Sequence, residues 1–389
     1  NQGGIATNAF VILDGVAYEA AGGVIGDQHR FRNSTISVTA SAAGGTTLHL
    51  EGGNNALESD NLADTTLWIR GSNGGNTATL TVADDFSNAG TIRLQSIDTG
   101  WAATLNLAGS ELHNAAGGVL EANFGTGGSR SIVGSIRNDG LVSVEAATLL
   151  TITDAAPFSF VQQSGSISAL GELRLNGADF VFTGGTIDGT VRVDNGTIDI
   201  ASTAGPGTVI AASDTGLTNN SSTATTVWVQ GSNATGAAEL SLTGDAENRG
   251  VIRVESINSG WHSRINTGAS TLTNQAGGVV EANFGTGGDR SIRGAVVNRG
   301  DIVVGEGAFL NIIADYTADG GHVLGNHAFS EDSILRTTSA PALRGELSTM
   351  IAVGDGILFE GDLLSGYELW VRGGGFGGGA ATTMATDGA

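Results

Sequence analysis

Two short segments carry the residues that could do chemistry. EANFGTGGSRSI at 121–132 and EANFGTGGDRSI at 281–292 each set a carboxylate and an arginine around a glycine-rich turn. The groups are Glu121 with Arg130, and Glu281 with Asp289 and Arg290. A carboxylate beside a guanidinium on a groove is what cleavage of a polysaccharide requires. Such a site is usually assembled once, whereas this set recurs in the second segment with its glycines intact. The residues therefore read first as a structural turn and salt bridge, and second as ligand contacts or catalytic groups. Trp101 and Trp261 follow SIDTG and SINSG, also at turns. Packing over a corner is the plain expectation for them, and stacking on a sugar ring is the functional one. Carboxylates gather at Glu58, Asp60 and Asp64 and again at Glu360 and Asp362. Ca²⁺, which takes about six to eight oxygens, is the one cofactor this brings into view. A solvated acidic edge is the simpler reading, since the RTX nonapeptide is absent.

Other chemistries lack their parts. The six histidines are scattered and show no HExxH spacing. His113 is replaced by Thr273 in the second segment, and His262 answers to Ala102. His29 and His327 occupy matching places, but each is alone and is expected to pack in a coil. There is no GxSxG elbow and no cysteine. FGTGG at 124–128 has no lysine after it, so phosphate binding is not expected there.

The elements that position these residues must be strands. Glycine accounts for 63 of 389 residues, roughly twice the usual share of about 7%. Only 3 residues are proline, and Val, Ile and Thr fill the intervals. Glycine without proline, interleaved with β-branched residues, describes short strands joined by tight turns. Aromatic residues make up 5% of the chain, so the core must be built of Val, Ile, Leu and Ala. No sustained i, i+3, i+4 apolar pattern supports a helix.

Charge narrows the partners. The chain has 39 acidic and 17 basic residues, all of the latter arginine, for a net charge of -22. Such a surface repels phosphate backbones, which argues against nucleic acid. No stretch approaches the roughly 18 apolar residues of a membrane helix. The absence of cysteine is compatible with export. The chain opens and closes in mid-pattern, which suggests a processed form or a segment of something longer.

The repeat organises everything else. The 160-residue offset between Glu121 and Glu281 also maps Trp68 (LWIRGSN) onto Trp228 (VWVQGSN), and NAGTIRLQSIDTGW onto NRGVIRVESINSGW. LWVRGGG, with Trp370, begins a further copy. This divides the chain into a partial unit at 1–66, unit A at 67–226, a shorter unit B at 227–368, and the start of another unit with a Gly-rich tail at 369–389. Within units, Asn88, Asn114 and Asn138 recur at spacings of 26 and 24, and Asn248, Asn274 and Asn298 repeat them. A turn followed by apolar alternation at that period is one coil that cannot bury its apolar row alone, so coils must stack. The expected fold is an all-β, right-handed parallel β-helix, or β-solenoid, of roughly 16 rungs at about 4.8 Å each. Asparagine should lie over asparagine. Trp68, Trp228 and Trp370, inside apolar alternation, are expected as wedges or caps where the cross-section changes. A string of β-sandwiches is the competing architecture, but it leaves the shorter period unexplained.

The grammar of NAGTIRL and NDGLVSVE, with FVQQSGSISALGELRLNGADFVFTGGTIDGTVRV, resembles the shafts of filamentous haemagglutinin-like adhesins and autotransporter passengers of Gram-negative bacteria. The resemblance is one of pattern and covers nearly the whole chain. It implies a secreted, extracellular or cell-surface location and a structural, adhesive role in a filament or matrix. Its partners would be other copies of the chain, or cell-surface or matrix polysaccharide, with no membrane insertion. Neither an NPNG-type secretion motif nor a translocator barrel is seen, so the chain would be shaft only. Parallel β-helices also include polysaccharide lyases and glycosidases, and a polysaccharide-binding or polysaccharide-degrading protein is the alternative.

Overall fold

The computed structural model describes residues 11–22, 29–40, 45–98, 100–153, 159–258, 260–330, 333–341, 348–354, 356–372 and 383–385. All regular structure among them is β, and the strands pair in parallel as stacked solenoid coils. The chain divides into two compact units, Asn1–Val193 with Gly205–Gly207, and Asp194–Ala204 with Thr208–Ala389. Between them they hold about 15 turns of about 22 residues.

That mean lies below the expected 24–26 because coil length varies. Thr91 pairs with Thr66 behind it and with Val119 ahead, so the coil after it is longer than the coil before. Val11 pairs with His29 and Leu310 with His327, across much shorter coils. Added residues are accommodated in corner loops, while the strand registers hold.

In the first unit, alternation sends every second side chain inward. One inner column runs Leu48, Leu67, Ile92, Leu120, Val142 and Ile167, and all six are fully buried. Aliphatic residues dominate because a narrow interior has room for one layer of side chains per face. Phe160 and Phe180 pair across adjacent coils with ring centroids 5.8 Å apart. In the second unit, Val227, Ile252, Val280, Ile302 and Val323 form the corresponding column.

A corner of each unit is lined by a buried amide ladder. In the first unit, the Nδ2 groups of Asn61, Asn88 and Asn114 donate to the next asparagine's Oδ1 at 2.7, 2.8 and 2.7 Å, and Asn138 donates to Gln162 Oε1 at 2.7 Å. The second proton of Asn114 goes to the Leu141 carbonyl, one coil on, at 3.1 Å. Asn88, Asn114 and Asn138 are fully buried, so each amide must be satisfied from within the protein. The second unit repeats this through Asn220, Asn248, Asn274 and Asn298 at 2.7, 2.8 and 2.9 Å. There the ladder ends on a different side chain: Asn298 Nδ2 donates to Tyr316 Oη at 3.0 Å.

Tyr316 is fully buried, and burial, reinforced by nearby Tyr367, pushes its phenol well above the ordinary value. Tyr367, which donates to the Gly321 carbonyl at 3.0 Å, is pushed up to about 12, chiefly by burial. An unfolded tyrosine ionises near pH 10. The neutral phenols therefore contribute stability that is fully present below about pH 10 and lost as pH rises through the folded values. The denaturation midpoint should fall between pH 10 and 12. Tyr316→Phe should flatten that fall, at a cost of about 1 kcal/mol at neutral pH for the acceptor withdrawn from Asn298. An unchanged alkaline slope in Tyr316→Phe would exclude the assignment.

Candidate functional site

Outward-facing residues form columns as regular as the inner ones. In the first unit, one runs Arg30, His49, Trp68, Arg93, Glu121 and Ser143 across successive coils. Leu67 and Ile69 face inward, so Trp68 faces out between them. It lies 4.7 Å from the His49 ring, with the Arg93 guanidinium 5.3 Å over its face. Arg93 in turn is ion-paired with Glu121. In the second unit, Arg253 lies 5.4 Å over Trp228 and is ion-paired with Glu281. Trp68 and Trp228 are thus members of outer cation–π columns and not wedges. Trp370 is likewise turned out, with Arg372 over it at 5.4 Å.

This corrects the expected pairing of Glu121 with Arg130 and of Glu281 with Arg290. Adjacent coils juxtapose Arg93 with Glu121, whereas Arg130 falls in a different column, between Ala103 and Leu150. Arg130 is buried and curls back into its own loop, where Nε donates to Asn123 O at 3.1 Å and Nη1 to Gly128 O at 3.1 Å. Arg290 holds Gly288 O in the same way at 2.9 Å. Burial lowers the pKa of both guanidiniums, opposed by Glu145 at Arg130 and by Glu255 and Asp289 at Arg290. These arginines brace the FGTGG loop from inside.

The loop they brace belongs to a corner made of three stacked turns. Trp101 Nε1 donates to Asn73 Oδ1 at 2.9 Å, and Asn73 N donates to Asp98 Oδ2 at 2.7 Å. Thr126 Oγ1 donates to the Ile97 carbonyl at 2.8 Å. The second unit keeps the bond from Trp261 to Asn233 at 2.8 Å and that from Thr286 to Ile257 at 2.8 Å. Each corner leaves aromatic surface in solvent: Phe124 is 52% exposed, Phe284 57% and Trp261 37%. The GSN motif therefore has a job legible only in three dimensions, since its asparagine orients the tryptophan from the following coil.

The acidic positions do not converge. Glu58 is exposed, Asp60 Oδ1 accepts from Ser87 N at 2.7 Å, and Asp64 occupies a turn at φ 64°. Glu360 is ion-paired with Arg336 at 2.7 Å, and the Asp362 carbonyl accepts from Thr337. Among the described residues, no three His, Cys, Asp or Glu side chains come together as a metal-holding group.

One cluster had no signal in the repeat. Glu51 is completely buried, and Arg32 Nη2 donates to its Oε2 at 2.8 Å. Arg30 Nη1 and Arg70 Nε approach its Oε1 at 3.4 and 3.7 Å. The turn that carries Asn73 closes over it. A Cβ at Gly75 would stand 2.5 Å from Glu51 Cβ, so only glycine fits that approach. Burial, then the neighbouring Arg30, lowers the pKa of Arg70.

Neither a scan against protein-family models nor searches of curated proteins and of solved structures found a match.

Proposed function

We propose that the chain is a structural and adhesive shaft segment of a large secreted or cell-surface protein, and that it has no turnover chemistry. The observation that carries this reading is the use made of Glu121 and Glu281. Each is paired with an arginine of the adjoining coil, in columns that recur in both units. General acid–base chemistry needs a carboxylate whose protonation is poised for the substrate, and these two serve as rungs. The amide ladders point the same way, because they stabilise repetition along the coils rather than one pocket. Other copies of the chain and surface or matrix polysaccharides are the partners that fit an acidic chain of this kind.

The test is incubation of the full chain with acidic and neutral polysaccharides, reading reducing ends and unsaturated uronates alongside retention on the immobilised polymers. Retention without cleavage is the expected result. Turnover that disappears in the Glu121→Gln/Glu281→Gln double variant would establish a lyase or glycosidase instead.

A further inference from the structure

We propose that the second unit's corner at Trp261, Phe284 and Phe309 binds an extended chain of neutral pyranose sugars. The choice of partner rests on the adhesive reading above, and the site rests on the geometry of four stacked turns.

Strands Thr225–Gly231, Val251–Ser256, Val279–Ala282 and Asp301–Val304 pair in that order, so the turns that follow them lie on consecutive coils. The rings on these turns lie along the solenoid surface. The six-membered ring of Trp261 lies back on the preceding turn, where a Cβ at Gly236 would stand 3.5 Å from Cζ3 and 3.7 Å from Cε3. Asn233 holds its indole nitrogen at 2.8 Å. Phe284 lies forward on the following turn, where a Cβ at Gly307 would stand 3.2 Å from Cδ2 and 3.5 Å from Cε2 and Cγ. Phe309 ends that turn and is 46% exposed. Ser263, Arg290 and Leu310 are in register, so His262, Asp289 and Phe309, each one residue earlier, adjoin on consecutive coils. His262 Nδ1 meets Asp289 Oδ2 at 3.2 Å, and the Asp289 side chain keeps 79% of its surface in solvent. An exposed carboxylate thus stands on the coil between Trp261 and Phe309.

The first unit builds the same turns without these groups. Ser72 N donates to Asn76 O at 3.1 Å, as Ser232 N does to Gly236 O at 2.9 Å. Thr148 N donates to Glu145 O at 3.1 Å, as Ala308 N does to Gly305 O at 3.0 Å. Asn76 and Ala147, at φ 65° and 58°, hold the left-handed conformation that Gly236 and Gly307 hold at 81° and 74°. Glycine is therefore not what closes these turns. In the second unit it clears the ground beneath two rings. Three further positions differ: Ala102, Ser129 and Leu149 in the first unit stand where the second has His262, Asp289 and Phe309. None of the three serves burial, since all reach solvent. The interior of the same unit accepts phenylalanine, as fully buried Phe329 shows. Apolar surface gathered in water marks a contact with a partner.

The chemistry of the corner selects the partner. Indole and phenyl faces take the apolar C–H side of a pyranose ring. A carboxylate accepts sugar hydroxyls in charge-assisted hydrogen bonds, and with His262 at Oδ2, Asp289 offers Oδ1. Rungs about 4.8 Å apart are close to the length of one β-linked pyranose. A chain laid along the corner therefore meets rings on successive coils. An acidic sugar meets the repulsion of Asp289 instead, while the neighbouring Arg290 is buried and turned into its own loop.

The experiment is calorimetric titration of the full chain with cellohexaose and with hexagalacturonate. Cellohexaose should bind at one site per chain, at least about tenfold tighter than the acidic hexamer, as loss of a charged hydrogen bond implies. Asp289→Ser/Phe309→Leu installs the first unit's residues, with which the same turn forms. It should weaken cellohexaose binding about tenfold or more with an unchanged circular dichroism spectrum. If that variant does not fold, Asp289→Ser alone serves. It should also narrow the preference over the acidic hexamer, which a merely structural role would not do. Gly307→Ala, which lifts Phe284, should weaken binding. Leu170→Ser, which removes an apolar side chain 70% exposed in the first unit, should leave it intact. Undiminished binding in the Asp289 variants, two equivalent sites per chain, or an acidic hexamer as strong as the neutral one would each overturn the proposal. Absence of binding by either hexamer would overturn it too, and retention of the chain on immobilised polysaccharide would then leave the adhesive reading standing. Cleavage of cellohexaose would count against the shaft reading alone.

Discussion

Asn114→Leu is expected to destabilise the first unit by about 2–6 kcal/mol, because it orphans buried groups on both sides of one rung. Asn114 Oδ1 accepts from Asn88 at 2.8 Å, and its Nδ2 donates to Asn138 at 2.7 Å and to the Leu141 carbonyl at 3.1 Å. Leucine can neither accept nor donate. Asn88 keeps its bond to the Val119 carbonyl at 3.1 Å, but Asn138 Oδ1 loses its donor in a place water does not reach. Each such loss costs about 1–3 kcal/mol, far more than the net worth of a single exposed bond. Because coils contact only their neighbours, the damage should be local. Hydrogen exchange should accelerate in the strands Phe86–Asn88, Ala103–Asn114 and Arg130–Asn138 before it does in the second unit. Arg249→Ala is the control. It removes a surface pair to Glu247 at 3.1 Å, and exposed pairs of that kind are worth only about 0–1 kcal/mol. Equal shifts in the two variants would show that the ladder is not what holds the corner.

Gly118→Ala should be worse, and should prevent the first unit from forming its native register. A Cβ at Gly118 would lie 2.1 Å from the Asn88 carbonyl oxygen and 2.7 Å from Asn114 Oδ1. The first is main chain that accepts from Ala115 N at 3.0 Å and the second is an atom of the ladder, and neither can withdraw without separating two coils. Gly109 offers the matched comparison. Its φ of 95° is left-handed, but a Cβ there meets nothing within 4 Å. Gly109→Ala should therefore cost only the conformational strain, about 1–2 kcal/mol. Soluble expression and a cooperative melt for Gly109→Ala, with aggregation or a collapsed melting temperature for Gly118→Ala, is the expected pair of results. Similar behaviour in both would mean that glycine is needed for backbone freedom and not for close approach.

Much of this was legible in the residues alone. The spacing of Asn88, Asn114 and Asn138 announced stacked coils, and the structure joins those side chains amide to amide. Alternation around Leu67, Trp68 and Ile69 puts the two aliphatic residues on one face and the tryptophan on the other, because successive strand side chains point to opposite sides, yet Trp68 is not the expected wedge or cap and stands instead in an outer column under Arg93. The ends of the ladders could not be found from an asparagine count. Gln162 extends one because it occupies the asparagine column, whereas Tyr316 stands opposite Val296 and reaches Asn298 from the neighbouring inward position by the length of its side chain. Nor could sequence distance pair Glu121 correctly. Arg130 is much the nearer along the chain, yet it is Arg93, a full coil back, that meets Glu121 across the coil boundary.

The Arg30, Arg32, Glu51 and Arg70 cluster was hidden for the same reason. Coils near it are short, as in the steps from Val11 to His29 and from Thr46 to Thr65, so the 24–26 period does not superpose them. Composition and periodicity determined the fold class, since they decide which backbone can bury its apolar row. Which polar side chains meet was decided by the tertiary structure, because in a solenoid contact is set by the register of neighbouring coils, and that register follows from the length of each corner loop.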